Sequence, residues 1–206
     1  MDPSDQARQR VLRARAARSV EDTVAAYRDW AADYDQDVFD QLGFTGSDRI
    51  ADLLTDHLGD RTTPVLDLGC GTGAVGIRLF SEGFTSVDGI DVSRAMLGVA
   101  AGKRAYRALI EADLERPLPL ADGSYGGAVS AGTFTAGGVG PGALAEVWRV
   151  LQPGATVAFV IGEWDVFEPV LAGWEVLHVA DEPIRRGGPS EATMVVARVG
   201  VAGAAP

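Results

Sequence analysis

The sequence of 206 residues contains a single cysteine, Cys70, so no disulfide can form within the chain. That scarcity is typical of a reducing compartment, and we expect a cytoplasmic protein. No apolar run approaches the roughly 18 residues that cross a bilayer, and the first residues lack the apolar core of a secretory signal. We therefore expect no membrane partner, and we assign no residue to a metal site.

Lysine is equally scarce, since Lys103 is the only one, and the formal net charge is −11 with a pI near 4.6. The excess of arginine over lysine suggests a G+C-rich bacterial genome. Binding to a phosphate backbone needs a basic face, so the charge argues against a nucleic-acid partner. Five arginines nevertheless lie between Arg8 and Arg18, and we interpret them as a solvated basic helix face.

Length and composition predict one globular domain. The chain is 47% hydrophobic and 23% charged, which are values typical of globular proteins. We expect an arginine-rich N-terminal extension over residues 1–18, a single domain over residues 19–200 and a flexible tail over residues 201–206. The protein is expected to be a monomer or a homodimer.

Glycine is abundant, with 26 residues, and three glycines follow one apolar segment closely. Residues 65–68 predict a buried strand, Gly69, Gly71 and Gly73 follow it, and residues 74–80 predict a helix. Glycine lets the backbone turn tightly and approach a ligand, and the free N–H groups at the start of the helix would face that ligand.

Two kinds of cofactor compete for this turn. Gly71-x-Gly73-x-x-Gly76 satisfies the dinucleotide pattern, and Asp91 lies at about the right distance to bind a ribose hydroxyl. Asp67, however, lies inside the strand, two residues before the first glycine, where a carboxylate would not suit a pyrophosphate. A carboxylate at this position suits a ligand that carries an ammonium group.

The segment VLDLGCGTG resembles the first motif of class I S-adenosylmethionine-dependent methyltransferases, an acid followed by x-G-x-G-x-G. The resemblance implies S-adenosylmethionine as the cofactor, bound by Asp67, Gly69, Cys70, Gly71 and Gly73. It also implies a doubly wound, Rossmann-like α/β fold with helices on both faces of the sheet. That sheet would have seven mostly parallel strands in the order 3-2-1-4-5-7-6, with one antiparallel strand.

An aromatic helix is predicted before the glycine turn, over about residues 20–36, because apolar residues recur there at helical spacing. Its pattern Y-x-x-W-A-x-x-Y-D resembles the opening of many small-molecule methyltransferases, in which this segment folds over the cofactor as a lid. The resemblance implies that Tyr34 contacts the cofactor and that Tyr27 and Trp30 face the substrate. A helix that packs its aromatic side chains into the core is the alternative.

Asp91 ends the second predicted strand, and in this fold the carboxyl ends of the strands face the ligand crevice. A carboxylate there can accept hydrogen bonds from both ribose hydroxyls. The segment DVSRAML resembles the family's D-x-S-x-x-M-L, which implies that Val92 and Met96 lie beside the cofactor, with Val92 against the adenine. We predict that Ser93 caps the next helix, and Asp91 as a plain helix cap is the alternative.

Asp113 ends the third predicted strand, over residues 109–114. The resemblance implies that its carboxylate accepts a hydrogen bond from the exocyclic amine of adenine, and that Leu114 supplies a backbone contact. The fourth predicted strand, over residues 127–132, carries Ser130, which we also assign to the cofactor.

The loop after the fourth strand lies nearest to the transferable methyl group in the family, which implies that Thr133, Phe134 and Thr135 face the substrate. This loop resembles that of a subgroup that includes the methyltransferase-like protein 27 group, from the Williams–Beuren region, in which G-T-F-T-H-G-H-V-G-P is common. Ala136 and Gly138 stand where those histidines would be. If a histidine there positions the substrate, this chain has lost it or uses other groups.

The resemblance weakens after residue 161. Only one or two helical turns fit before Gly173, and residues 174–180 and 192–199 predict a final antiparallel pair of strands. Glu163 is the least weak candidate for a general base, and we assign Trp164 to the substrate side.

These patterns predict a methyltransferase that acts on an oxygen, nitrogen or sulfur atom of a small molecule by in-line displacement. The fourth strand is not followed by a sequence like N-P-P-Y, which argues against methylation of a nucleobase amine. Two alternatives stay open. One is a protein that binds S-adenosylmethionine without turnover, as a regulator or partner subunit, and the other is a nicotinamide-dependent oxidoreductase.

Overall fold

The computed structural model describes residues 2–135, 138–187 and 191–200. The strands are β1 (Val65–Leu68), β2 (Val87–Asp91), β3 (Ala108–Glu111), β4 (Tyr125–Phe134), β5 (Leu151–Ile161), β6 (Glu175–Pro183) and β7 (Glu191–Arg198). The α-helices are α1 (Pro3–Arg15), α2 (Val20–Trp30), α3 (Gly46–His57), α4 (Ala74–Ser81), α5 (Arg94–Lys103), α6 (Leu144–Val150) and α7 (Trp164–Phe167). A π-helix spans Gln36–Gln41, and short 3-10 helices span Pro141–Ala143 and Glu168–Leu171. The expected tail over residues 201–206 and the loop position Ala136 lie outside the described residues.

All seven strands form one sheet, in the order β3-β2-β1-β4-β5-β7-β6. Strands β1 to β5 pair in parallel, and β7 is antiparallel to both of its neighbours, β5 and β6. The predicted strand order and the single antiparallel strand are therefore confirmed. The carboxyl ends of β1 to β5 meet at one edge of the sheet, which is where a ligand binds in folds of this kind.

Helices cover both faces of the sheet, as predicted. On one face, α3 and α4 pack Ile50, Leu54 and Leu79 against strand residues such as Val65 and Val129. The opposite face is covered by α6, α7 and the 3-10 helix that follows α7. The buried side chains of β1 alternate between these two cores, because successive residues of a strand point to opposite faces.

The arginine-rich N-terminal segment forms a helix that packs on the rest of the chain. Helix α1 begins after Asp2, whose side chain accepts a hydrogen bond from the backbone N–H of Ser4 at 3.2 Å. Ala7 and Ala14 lie on its buried face, and α1 contacts α2 and the π-helix. The segment is thus only partly the solvated face that its charge predicts.

The predicted aromatic helix is shorter than expected, since α2 ends at Trp30 and a π-helix follows. Asp37, in that π-helix, is buried and accepts hydrogen bonds from the Trp30 indole N–H and from Arg10, both at 2.7 Å. The wider turn of a π-helix changes which side chains face inward, and here it accompanies a carboxylate that meets two donors.

Strand boundaries near the predicted site also differ from expectation. Strand β3 ends at Glu111, so Asp113 lies two residues beyond it, in a loop. Strand β4 continues to Phe134, and it therefore includes Thr133 and Phe134, which were expected in a loop. Among the described residues, the structure has no helix with the length and apolar content of a membrane span, and no cluster of metal-binding side chains.

Tyr106, in the loop between α5 and β3, packs its ring against three glycines. A Cβ atom added to Gly76 would lie 2.2 Å from the ring Cζ, and one added to Gly89 or Gly73 would lie 3.0 Å from a ring carbon. The glycines of α4, β2 and the turn after β1 therefore leave the space that the ring fills.

We predict that Gly76→Ala destabilises the fold by about 1–3 kcal/mol, because its Cβ would overlap the Tyr106 ring. At a helix position without such an overlap, alanine is more favourable than glycine by about 1 kcal/mol. Gly98→Ala in α5 is the matched control, since its Cβ would meet nothing within 4 Å and should stabilise the protein. Urea unfolding measures both changes, and equal effects of the two substitutions would contradict the packing of Tyr106.

Candidate functional site

The turn after β1 is built on glycines in the left-handed region, with φ of 67° at Gly69, 52° at Gly71 and 91° at Gly73. A Cβ on Gly69 would lie 2.0 Å from the Thr133 hydroxyl oxygen, so this glycine permits close contact with the end of β4. A Cβ on Gly71 would meet nothing within 4 Å. The turn is therefore packed at its first glycine and open at its second, where a ligand can approach the backbone.

Asp67 is buried, with 1% of its surface exposed, and its two carboxylate oxygens differ. Oδ2 accepts a hydrogen bond from the Tyr106 hydroxyl at 2.6 Å, whereas Oδ1 is buried without a partner. Burial raises the pKa of Asp67 to about 7, while the hydrogen bond from Tyr106 acts in the opposite direction. A buried oxygen without a donor costs free energy, which a ligand with an N–H group would recover.

The Tyr106 hydroxyl links β1 to the start of α4. It donates to Asp67 and accepts a hydrogen bond from the backbone N–H of Gly76 at 3.1 Å. Tyr106 was not predicted from the sequence, and it lies 39 positions from Asp67. No motif marks it, although the glycines that accommodate its ring are visible in the sequence.

Asp91 lies at the carboxyl end of β2 and faces the same turn. Its Oδ2 accepts from the backbone N–H of Gly71 at 2.9 Å and its Oδ1 from that of Ser93 at 2.8 Å. The cap of α5 is Ser93, whose hydroxyl accepts from the N–H of Met96 at 3.5 Å, so Asp91 is not a plain helix cap. Burial raises the pKa of Asp91, and its backbone donors lower it.

A chain of five aromatic rings lies over the turn. Consecutive ring centroids are 4.6–6.3 Å apart, which is the range of favourable aromatic contacts. The rings belong to Tyr27, Trp30, Tyr34, Phe39 and Phe44. Burial raises the pKa of Tyr34, and the carboxylate of Asp91 contributes to the rise. We call residues 20–45 the lid.

The lid is fastened to the turn through Asp35. Its carboxylate accepts a hydrogen bond from the Thr72 hydroxyl at 2.5 Å and pairs with the ammonium of Lys103 at 2.5 Å. A cavity of about 40 Å³ remains below the lid, lined by Tyr34, Phe39 and Asp67 among others. Ligand pockets usually measure about 300–1,000 Å³, so the cavity in this conformation is smaller than a typical ligand pocket.

Of the other residues predicted for the cofactor, Gly69, Cys70 and Gly71 line this cavity, whereas Val92, Met96, Asp113, Leu114 and Ser130 are not among its lining residues. Ser130 donates from its hydroxyl to the carbonyl of Leu68 at 2.9 Å and so holds the end of β1. The carboxylate of Asp113 accepts from the backbone N–H of Glu115 at 2.9 Å and is partly buried. Cys70 follows β1, Met96 lies in the first turn of α5 and Leu114 follows β3, and all three are buried. Val92 lies between β2 and α5 and is partly buried.

The residues predicted for the substrate divide into two groups. Thr133 and Thr135 lie at the carboxyl end of β4, beside Gly162, whose N–H donates to the Phe134 carbonyl at 2.9 Å. Glu163 is exposed and Trp164 is partly buried at the start of α7. These side chains share the ligand edge of the sheet.

Phe134 was assigned to the substrate, and its burial corrects that assignment. It has no exposed surface, and its ring contacts those of Phe159 and Phe167 at centroid distances of 5.1 and 5.8 Å. The continuation of β4 turns this ring into the core. Trp30 and Tyr27 belong to the lid, where Trp30 is 4% exposed and bonded to Asp37, so its indole is held inside the lid.

Sequence comparisons agree with this geometry. Residues 65–154 match a family described as "Methyltransferase domain". Human methyltransferase-like protein 27 is 34% identical over 151 residues, which cover 70% of this chain and 61% of that protein. Malonyl-[acyl-carrier protein] O-methyltransferase of Pectobacterium atrosepticum is 34% identical over 123 residues, or 60% of this chain and 47% of that protein. The chain thus spans about half to three-fifths of the length of these relatives.

Solved structures share the fold. The [4+2]-cyclase SpnF superposes with a TM-score of 0.72 at 19% identity, covering 90% of this chain and 98% of that one. A SAM-dependent methyltransferase from Aquifex aeolicus gives a TM-score of 0.58 at 22% identity, covering 72% and 89%. The matched domain, the relatives and the strand order decide against the dinucleotide alternative. Residues 65–154 thus belong to the methyltransferase domain family, and the sheet around them has the fold of a SAM-dependent methyltransferase.

Proposed function

We propose that this protein binds S-adenosylmethionine and transfers its methyl group to an oxygen, nitrogen or sulfur atom of a small molecule. The observation that carries the proposal is the unpartnered, buried Oδ1 of Asp67 beside the open glycine turn. A cationic amine is the kind of donor that this oxygen lacks. The membership of the chain in a methyltransferase family supports the same ligand.

The acidic residues along the strand edge would hold the cofactor from its amino acid to its base. Asp67 would accept from the ammonium group, Asp91 from the ribose hydroxyls and Asp113 from the adenine amine. The open backbone at Gly71 leaves room for the chain of atoms between them. The other contacts would come from Gly69, Cys70, Gly73, Val92, Met96, Leu114, Ser130 and Tyr34.

The cofactor supplies a methyl group on a sulfonium, which is already activated for displacement. The protein then has to align the acceptor and exclude water, and alignment alone can lower a barrier by several kcal/mol. The aromatic lid would exclude water, and Thr133, Thr135 and Trp164 would contact the acceptor. Glu163 is an exposed side chain at the same edge, and we retain it as the candidate base for an acceptor that must lose a proton.

An oxygen acceptor has additional support, because one relative is named a malonyl-[acyl-carrier protein] O-methyltransferase.

The net charge of −11 favours a small molecule over a nucleic acid. The single, buried cysteine suits a reducing compartment, and we propose a cytoplasmic protein that is a monomer or homodimer.

The second candidate function is cofactor binding without methyl transfer. Two observations favour it: a [4+2]-cyclase shares the fold, and Gly138 replaces a histidine that is common in the subgroup loop. The short α7 leaves the substrate side less covered than a longer helix would.

Turnover separates the two candidates. The protein is mixed with S-adenosylmethionine labelled in its methyl group and with a panel of carboxylic acids, phenols, amines and thiols. We expect labelled product from at least one class, and less of it from the Asp91→Asn variant. Saturable cofactor binding with no product from any class would favour the second candidate.

We predict that Asp91→Asn weakens binding of S-adenosylhomocysteine at least about tenfold, because hydrogen bonds to a charged group contribute about 1.5–3 kcal/mol. Asp181→Asn is the control, since this exposed residue of β6 contacts Thr193 and lies outside the pocket. Isothermal titration calorimetry measures both affinities. Wild-type affinity in Asp91→Asn would refute the assignment of Asp91.

We predict that the affinity for S-adenosylhomocysteine rises as pH rises through about 7, where Asp67 loses its proton. The ionised carboxylate attracts the ammonium group of the ligand, and the protonated one does not. Tyr106→Phe removes a hydrogen bond that lowers the pKa of Asp67, so the midpoint should move to higher pH.

Tyr125→Phe is the matched control for that profile, because the Tyr125 hydroxyl donates to Asp88 at 2.8 Å and makes no contact with Asp67. Titrations from about pH 5.5 to about pH 8.5 define each midpoint. A flat wild-type profile, or equal midpoints in all three proteins, would show that Asp67 does not govern binding.

A further inference from the structure

Helix α3 begins at the cavity below the lid, since its second residue, Ser47, is one of the residues that line that cavity. Contacts with two other segments fix the start of the helix. The N–H of Thr45 donates to the Ile184 carbonyl at 2.9 Å, just after β6. The Phe44 ring lies against Gly46, where an added Cβ would be 2.6 Å from the ring Cζ. The first turn of α3 is therefore held in place at the cavity.

The backbone donors of this first turn have no acceptor in the part of the chain that the structure describes. The first N–H of α3 with a backbone partner is that of Arg49, which donates to the Thr45 carbonyl at 3.2 Å, so the N–H groups of residues 46–48 remain free. Side chains cap such donors in α1, α2 and α5, but the side chain of Thr45 does not cap α3. Free N–H groups and the helix dipole together favour an anion at this end.

The Ser47 side chain is a second and independent sign of a ligand. It is 6% exposed and lines the cavity, yet its hydroxyl has no hydrogen-bond partner among the described residues. The hydroxyls of Thr72 and Thr133, beside the glycine turn, are already used. They donate to Asp35 at 2.5 Å and to the Leu68 carbonyl at 3.1 Å, respectively. The Ser47 hydroxyl is thus available to a group that enters the cavity.

The charges around the cavity restrict what that group can be. None of the described residues that line it is an arginine, lysine or histidine, so an anion there depends on neutral donors. The first turn of α3 supplies such donors. Asp67 lines the same cavity, and its Oδ1 is buried without a partner. The cavity therefore presents an acceptor on β1 and donors on α3, which are the partners that the two charged groups of an α-amino acid require.

We propose that the first turn of α3, with the Ser47 hydroxyl, binds the carboxylate at the amino-acid end of the cofactor, while Asp67 accepts from its ammonium group. These two groups of an α-amino acid are attached to the same carbon, so they need an acceptor and a set of donors on either side of a narrow space. Hydrogen bonds to an ionised carboxylate are stronger than those between neutral groups. The identity of the ligand rests on the proposed function, and the carboxylate contact is additional to it.

Calorimetric titration of the full chain with two ligands tests this contact. One is S-adenosylhomocysteine, and the other is decarboxylated S-adenosylhomocysteine, which retains the amine and lacks the carboxylate. We expect the wild-type protein to bind the decarboxylated ligand at least about tenfold more weakly, because it loses hydrogen bonds to a charged group.

Two substitutions of Ser47 attribute that difference to α3. Ser47→Ala removes the hydroxyl and should weaken binding of S-adenosylhomocysteine at least about fivefold, with little effect on the decarboxylated ligand. Ser47→Asp places a negative charge where the ligand's carboxylate is expected, so it should reverse the preference between the two ligands. An acid in the first turn of a helix is favourable, so we expect this variant to fold.

Ser124→Ala is the matched control, because Ser124 directly precedes β4, at the opposite edge of the sheet. Its hydroxyl donates to the Ala121 carbonyl at 2.7 Å. This substitution should change either affinity less than about twofold, as expected of a surface site away from the ligand. Circular dichroism checks that each variant is folded.

The proposal is overturned if the wild-type protein binds the two ligands equally well, or if Ser47→Ala and Ser47→Asp both bind S-adenosylhomocysteine like Ser124→Ala. In either case, saturable binding of S-adenosylhomocysteine leaves the proposed function standing. If the wild-type protein binds neither ligand, the proposed function fails, and the carboxylate contact fails with it.

Discussion

The hydrogen bond between the Tyr106 hydroxyl and Oδ2 of Asp67 is the interaction on which the site depends. It joins β1, the start of α4 and the loop before β3 at one point, because the same hydroxyl also accepts the N–H of Gly76. A buried carboxylate is costly, and one donor reduces that cost without removing it. The remaining cost is concentrated on Oδ1, and binding of a cationic group would lower it.

Two acids of the lid, Asp35 and Asp37, also pair with donors from other parts of the chain. Asp35 meets Thr72 and Lys103, and Asp37 meets Trp30 and Arg10. The first set closes the lid onto the turn, and the second holds the lid and α1 together. Asp35 and Asp37 thus fasten the lid to two different parts of the chain through separate side-chain contacts.

Much of the fold could be predicted from sequence, because its signals are local. The glycine turn, the cap at Ser93 and the buried strand before the turn each follow from a few neighbouring residues, and the strand order followed from the family resemblance. The site was less predictable. Tyr106 acts on a residue 39 positions away, and only the folded chain brings them together.

Phe134 and the lid are two places where the local sequence predicted a different structure from the one observed. Residues 133–135 were expected in the loop after the fourth strand, but pairing with β5 carries β4 on to Phe134, whose ring is buried. Helical spacing predicted a regular helix to about residue 36, but tertiary bonds to Asp37 accompany a π-helix instead. In both cases the deciding partner came from a distant part of the chain.

The pairing of Lys103 with Asp35 has a practical consequence for observing the protein in motion. Because Lys103 is the only lysine in the sequence, an amine-selective reagent can acylate only one side chain. That side chain is 19% exposed while it is paired with Asp35. The rate at which Lys103 is acylated would therefore report how often the lid is released from Lys103, with no engineered label and no change to the sequence.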